Sequence, residues 1–87
     1  MKIQAAAISL QEVNFAIAVV DMDLLNTHGE ADMAIERISP SFAGVPVVLM
    51  AQKEDGSPVY YGDEELVRSL ADVPIDKMPW KEYSVAL

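Results

Sequence analysis

The residues Pro46-Val47-Val48-Leu49-Met50-Ala51-Gln52 carry almost no polarity. A short, unbroken apolar run of this kind folds as a strand buried on both faces. Such a strand demands a covering layer on each side, and it organises the rest of the chain. Pro46 has no N–H for a ladder bond, so it belongs at the strand's first position. Lys53-Glu54-Asp55-Gly56-Ser57 follows, and Asp-Gly is a strong hairpin signal. Val59, Tyr60 and Tyr61 supply the partner strand. Gly62-Asp63-Glu64-Glu65 opens a helix over 63–72 that ends before Pro74, with Leu66, Val67 and Leu70 turned inward. Its three acidic residues lie where the helix dipole favours negative charge.

Upstream, Val13, Phe15, Ile17 and Val19 alternate with Ala16, Ala18 and Val20. This pattern reads as a second strand buried on both faces. Thr27-His28-Gly29-Glu30 has the form of a capping box, in which Thr27 and Glu30 satisfy each other's backbone N–H groups. Ala31, Ala34, Ile35 and Ile38 share one face of the helix that follows, and Ser39-Pro40 stops it. Strand, helix, strand in this order implies a right-handed crossover with the two strands parallel.

The two ends are less regular. In residues 2–12, Ile3, Ala6, Ala7, Leu10 and Val13 fall on one helical face, and three consecutive alanines favour helix. Ile8 lies off that face and no N-cap precedes it. The competing reading is a strand paired with the next segment, which needs a turn near Gln11-Glu12. The balance leans to helix. The tail, residues 74–87, is punctuated by Pro79, and Tyr83, Val85 and Leu87 alternate as in a short edge strand.

Eighty-seven residues make one small domain with a thin core, yet 52% of them are apolar. Self-association into a homodimer is therefore expected, and Trp80, Tyr83 and Val85 of the tail, with Tyr60 and Tyr61, are suited to interfaces, although Trp80 could equally fold back as a lid on its own core. The tail strand would add to a sheet edge of a second copy. Six basic and fourteen acidic residues give a net charge of −8. That charge disfavours binding to nucleic acid or to an anionic membrane surface. Cysteine is absent, which excludes disulfides, thiol redox chemistry and thiolate metal sites. The opening shows no secretory pattern, and no run approaches the roughly 20 apolar residues of a membrane span. A cytoplasmic protein is the expectation.

The element order from Val13 onward resembles the C-terminal part of the thioredoxin-like fold. Gly44-Val45-Pro46 looks like that family's step into a buried strand, Asp55-Gly56 like its hairpin turn, and Tyr61-Gly62 like the glycine before its last helix. The resemblance covers about residues 13–73. It implies a thioredoxin-like sheet and a cis Val45–Pro46 bond. The family's Cys-x-x-Cys is missing, so no redox activity is implied. A weaker resemblance, to response-regulator receiver domains, rests on the spacing of Asp21, Gly29 and Pro46 and implies a trans bond. That family's acidic pair and its lysine have no counterpart here, and Ala51 stands at its Thr or Ser position.

Asp21, Asp23 and His28 cluster beyond a strand's carboxyl end, where open α/β sheets place ligands. With Glu30 and Asp32 nearby, they are candidates for holding a divalent cation. The simpler reading makes them loop and cap residues. The serines lack the motif context of a nucleophile, and His28 is the only histidine. The expected function is a non-catalytic protein-interaction or assembly domain without a cofactor. A small metal- or ligand-binding domain and an acidic nucleic-acid mimic are the alternatives. Pro46, Gly56, Gly62, Thr27 and Glu30 are expected to be structural.

Overall fold

The computed structural model describes residues 2–10, 12–27 and 29–85. Among the described residues five strands are formed: β1 (Lys2–Leu10), β2 (Val13–Val19), β3 (Val47–Gln52), β4 (Pro58–Tyr61) and β5 (Lys81–Ser84). Three α-helices accompany them: α1 (Met22–Asn26), α2 (Glu30–Ile38) and α3 (Glu64–Leu70). The strands make one mixed sheet in the order β4-β3-β2-β1-β5. β2 and β3 are parallel, as the crossover requires, and every other pairing is antiparallel.

The sheet is covered on both sides. On one face Ala5, Ala16, Ala18, Val47 and Leu49 pack with Ala31, Ala34 and Ile38 of α2. On the other, Ala6, Phe15, Ile17, Val48 and Met50 pack with Leu66 and Leu70 of α3 and with Met78. Val48 and Leu49 both have no exposure at all, so β3 lies between the layers as its apolar run implied. Pro46 directly precedes the strand, and its carbonyl accepts the Ala16 N–H at 2.9 Å.

The expectation of helix for residues 2–12 is overturned. β1 is a nine-residue strand inside the sheet, between β2 and β5. The propensity that favours alanine in a helix amounts to only about 0.7 kcal/mol per residue against ordinary residues. Backbone pairing to two neighbours outweighs it. Ala5 and Ala6 have zero exposure on opposite faces, where small side chains let the covering layers sit close. The turn that lacked a glycine is made with Glu12 at φ +67°.

The capping box is also corrected. The Thr27 hydroxyl donates backwards to the Asp23 carbonyl at 2.9 Å, closing α1, a short helix that intervenes after β2. Gly29 occupies the N-cap position of α2, and no side chain among the described residues caps that helix. Glu30 contributes its backbone N–H, which donates to the Thr27 carbonyl at 3.2 Å. Ser39-Pro40 ends α2 as expected, although the chain continues through a 3₁₀ turn, Ser39–Phe42.

The cis Val45–Pro46 bond implied by the thioredoxin resemblance is absent, since that peptide is trans. Of its two possible partners, the tail strand takes its own sheet. β5 pairs with β1 of its own chain, Ile3 opposite Tyr83 and Ala5 opposite Lys81. Its aromatic groups are used internally as well. Tyr83 packs against Phe42 with ring centroids 4.7 Å apart, and the Trp80 indole N–H donates to the Ile75 carbonyl at 2.6 Å.

The second half follows its local chemistry. Gly56, at φ +87°, closes the hairpin turn, and Asp55 accepts the Ser57 N–H at 2.9 Å. Asp63 caps α3 by accepting from the Glu65 N–H at 2.9 Å and the Leu66 N–H at 3.4 Å. Asp63→Ala removes both bonds and is expected to cost about 0.5–2 kcal/mol in chemical denaturation. Asp63→Asn should retain most of that stability, because the amide oxygen still accepts.

Candidate functional site

The long hairpin of β1 and β2 outreaches β5, and the consequence follows from strand geometry. Each residue of a strand sends its N–H and C=O to the same side, and successive residues alternate. The Ala16 N–H donates to the Pro46 carbonyl and the Val20 N–H to the Met50 carbonyl, both at 2.9 Å. The even-numbered residues of β2 therefore face β3, and Val13, Phe15 and Ile17 face β1. Their partners Leu10, Ile8 and Ala6 face back toward β2. Ile3, Ala5, Ala7 and Ser9 must then direct their backbone groups to the opposite side.

There β5 pairs with residues 2–5 and goes no further. Ala7 and Ser9 are exposed, and among the described residues no strand meets them. Two N–H and two C=O groups thus line an open edge. On one face of this edge is a groove of about 510 Å³, lined among others by Ala7, Ser9, Asn14, Phe42, Val45 and Tyr83. On the other face, Ile8 and Leu10 are half-buried and Val13 is 40% exposed. Neither residues 6–10 nor the lining of the groove includes a charge.

The outer edges of the sheet differ. β4 has four residues and begins with Pro58, and β5 carries Lys81 and Glu82. Short length, proline and charge are the usual protections against edge pairing. Residues 6–10 have neither proline nor charge.

The other candidates are dispersed. Asp21 lines a small cleft of about 270 Å³ at the carboxyl end of β2, with Lys2, Gln4 and Leu24. Asp23 is exposed in α1. His28 lies outside the described residues. Among those described, no three His, Cys, Asp or Glu side chains gather to hold a metal ion. No helix among them is long and apolar enough to cross a membrane.

Trp80, Tyr83 and Val85 pack into the domain, with Val85 5% exposed. Tyr61 is exposed, and its hydroxyl donates to the Asp32 carboxylate of α2 at 2.7 Å. That bond, followed by desolvation and the nearby negative charge, raises the Tyr61 pKa above its ordinary value near 10. Burial raises that of Tyr60, whose hydroxyl has no partner among the described residues. A raised folded-state pKa means that the unfolded chain ionises first. The stability linked to these groups is therefore complete below about pH 10 and is lost as pH rises through the raised values. The melting temperature is expected to hold from pH 7 to about 9 and fall above about 10. In an ultraviolet tyrosinate titration, Asp32→Asn should lower the Tyr61 midpoint.

Sequence reasoning did not single out Ala7 and Ser9. The signal was Ile8, off the helical face yet two residues from Leu10, as in a strand. The chain matches no protein-family model, no curated protein and no solved structure.

Proposed function

We propose that this domain is a non-catalytic protein-interaction module that takes an extended segment as an added strand on residues 6–10 of β1. The observation that carries this reading is the outward-facing, unpaired backbone of Ala7 and Ser9 beside an uncharged groove. In β-strand addition, main-chain bonds supply affinity and flanking pockets select alternate side chains. The site offers both, with the Phe42–Tyr83 pair on one face and Ile8, Leu10 and Val13 on the other.

Selection from a library of displayed random peptides tests the reading. Enriched peptides are expected to be extended and apolar at alternate positions, and to shift the Ala7 and Ser9 amide resonances on binding. Ser9→Pro removes an outward N–H while leaving the bonds between β1 and β2 in place. It should abolish peptide binding with little change in melting temperature. Peptides that bind elsewhere, or bind Ser9→Pro equally well, would show that this edge is not the docking site.

A further inference from the structure

The open edge is uncharged and can pair with itself, and we infer that its partner is a second copy of this chain, paired antiparallel through the Ser9 region of β1 about a two-fold axis. The inference rests on the reading of residues 6–10 as a docking edge and names its occupant.

A two-fold contact places the same patch on both sides, so the patch must complement itself. Residues 6–10 do so. Lys81 stands opposite Ala5 and blocks further overlap toward the start of β1. The register centred on Ser9, facing the partner's Ser9, ends the partner's β1 at Leu10 opposite Ile8 and so keeps it clear of Lys81. Ser9 directs both backbone groups outward, so this central pair exchanges two hydrogen bonds. On either side, Ile8 meets the partner's Leu10 and Leu10 meets the partner's Ile8. These are non-hydrogen-bonded pairs, where opposing side chains approach most closely. Both residues are half-buried in the single chain, so each has exposed apolar surface for this pairing to cover.

Charge favours the same arrangement. Two copies, each with a net charge of −8, repel over most of their surfaces. They meet most easily where neither carries charge, and residues 6–10 are such a place. Just past this stretch, Glu12 is exposed at the hairpin tip. In the register centred on Ser9, the partner's Glu12 arrives beside Lys81. Lys81 is exposed and has no ion-pair partner among the described residues, unlike Lys2, which pairs with Glu82 at 3.5 Å. The two-fold axis makes this contact twice. The result is one continuous sheet through both chains, with each β5 lying end to end with the other chain's β1.

Sedimentation of the intact chain at about 100 μM, well above a micromolar dissociation constant, is expected to give a dimer. Ser9→Pro should be monomeric. Glu12→Lys and Lys81→Glu should each weaken the dimer by about tenfold or more, because each creates two like-charge contacts. The double variant Glu12→Lys/Lys81→Glu should restore it. Both charge variants are at exposed positions, so the test stands even if Ser9→Pro fails to fold. A monomeric wild-type chain, a dimer indifferent to both charge changes, or a double variant no tighter than the singles would overturn the inference. Peptide selection separates this failure from the wider one. A monomeric chain that still takes peptides on Ala7 and Ser9 loses the second copy and keeps the docking edge.

Discussion

Phe15→Ala is expected to cost about 3–5 kcal/mol, and Leu49→Ala about 2–5 kcal/mol, because each opens a cavity that rigid neighbours cannot close. Phe15 is 1% exposed and Leu49 has no exposure. They lie on opposite faces of the sheet, Phe15 beneath α3 and Leu49 beneath α2. Each change therefore damages one layer and spares the other. A domain of this size has a total stability of about 5–15 kcal/mol, so Phe15→Ala alone can leave a large unfolded population. Each kcal/mol lowers the melting temperature by about 4–8 °C. Thermal denaturation followed by circular dichroism measures both variants, and an unmoved midpoint for either would contradict its placement in the core. Phe15 also packs beside the half-buried Ile8 and Leu10, so its removal should loosen the base of the docking edge. Leu49→Ala should lower stability without that local effect.

Gly62→Ala is expected to cost about 2–4 kcal/mol, combining backbone strain with overpacking. Gly62 has φ +153° and stands between β4 and the cap of α3. A Cβ there would come within 3.3 Å of the Val48 Cα and Cγ2 and 3.4 Å of the Val47 carbonyl oxygen. Val48 is fully buried in β3 and has no room to retreat. Gly56→Ala provides the comparison. Gly56 is at φ +87°, but no atom lies within 4 Å of a Cβ placed there. Its substitution carries the left-handed penalty alone, about 1–2 kcal/mol. Urea denaturation of the two variants separates strain from contact. If both lose the same stability, the close approach of Gly62 to β3 contributes nothing.

These two glycines, with Pro46, Asp55 and Asp63, account for why residues 46–70 could be read from sequence. Their effects are local. A proline's missing N–H, a carboxylate reaching the next turn and a glycine's positive φ act within a few residues. The apolar run of β3 likewise announces double burial without reference to the rest of the fold. The alternation in β2 is equally plain, and the parallel pairing of β2 with β3 follows from the helical crossover that joins them.

Residues 2–10 depended on the tertiary structure. Alanine is compatible with helix and strand, and only the two neighbours β2 and β5 decide between them, through backbone bonds that side chains do not encode. Thr27 shows the same limit on a smaller scale. Its capping pattern is a local option, and the formation of α1 redirected the hydroxyl to Asp23. The tail's alternation identifies a strand but not its partner. Pairing Lys81–Ser84 with Lys2–Ala5 joins the two ends of the chain, and nothing in either segment names the other. The open edge arises from that choice. Ala7 and Ser9 are unpaired because β1 has nine residues and β5 has four, and because the hydrogen-bond phase set by β2 turns their backbone outward. The sequence determined which segments are strands and helices wherever local chemistry was decisive. The tertiary structure decided which edge remained free, because that depends on the length and phase of pairings between residues distant in the chain.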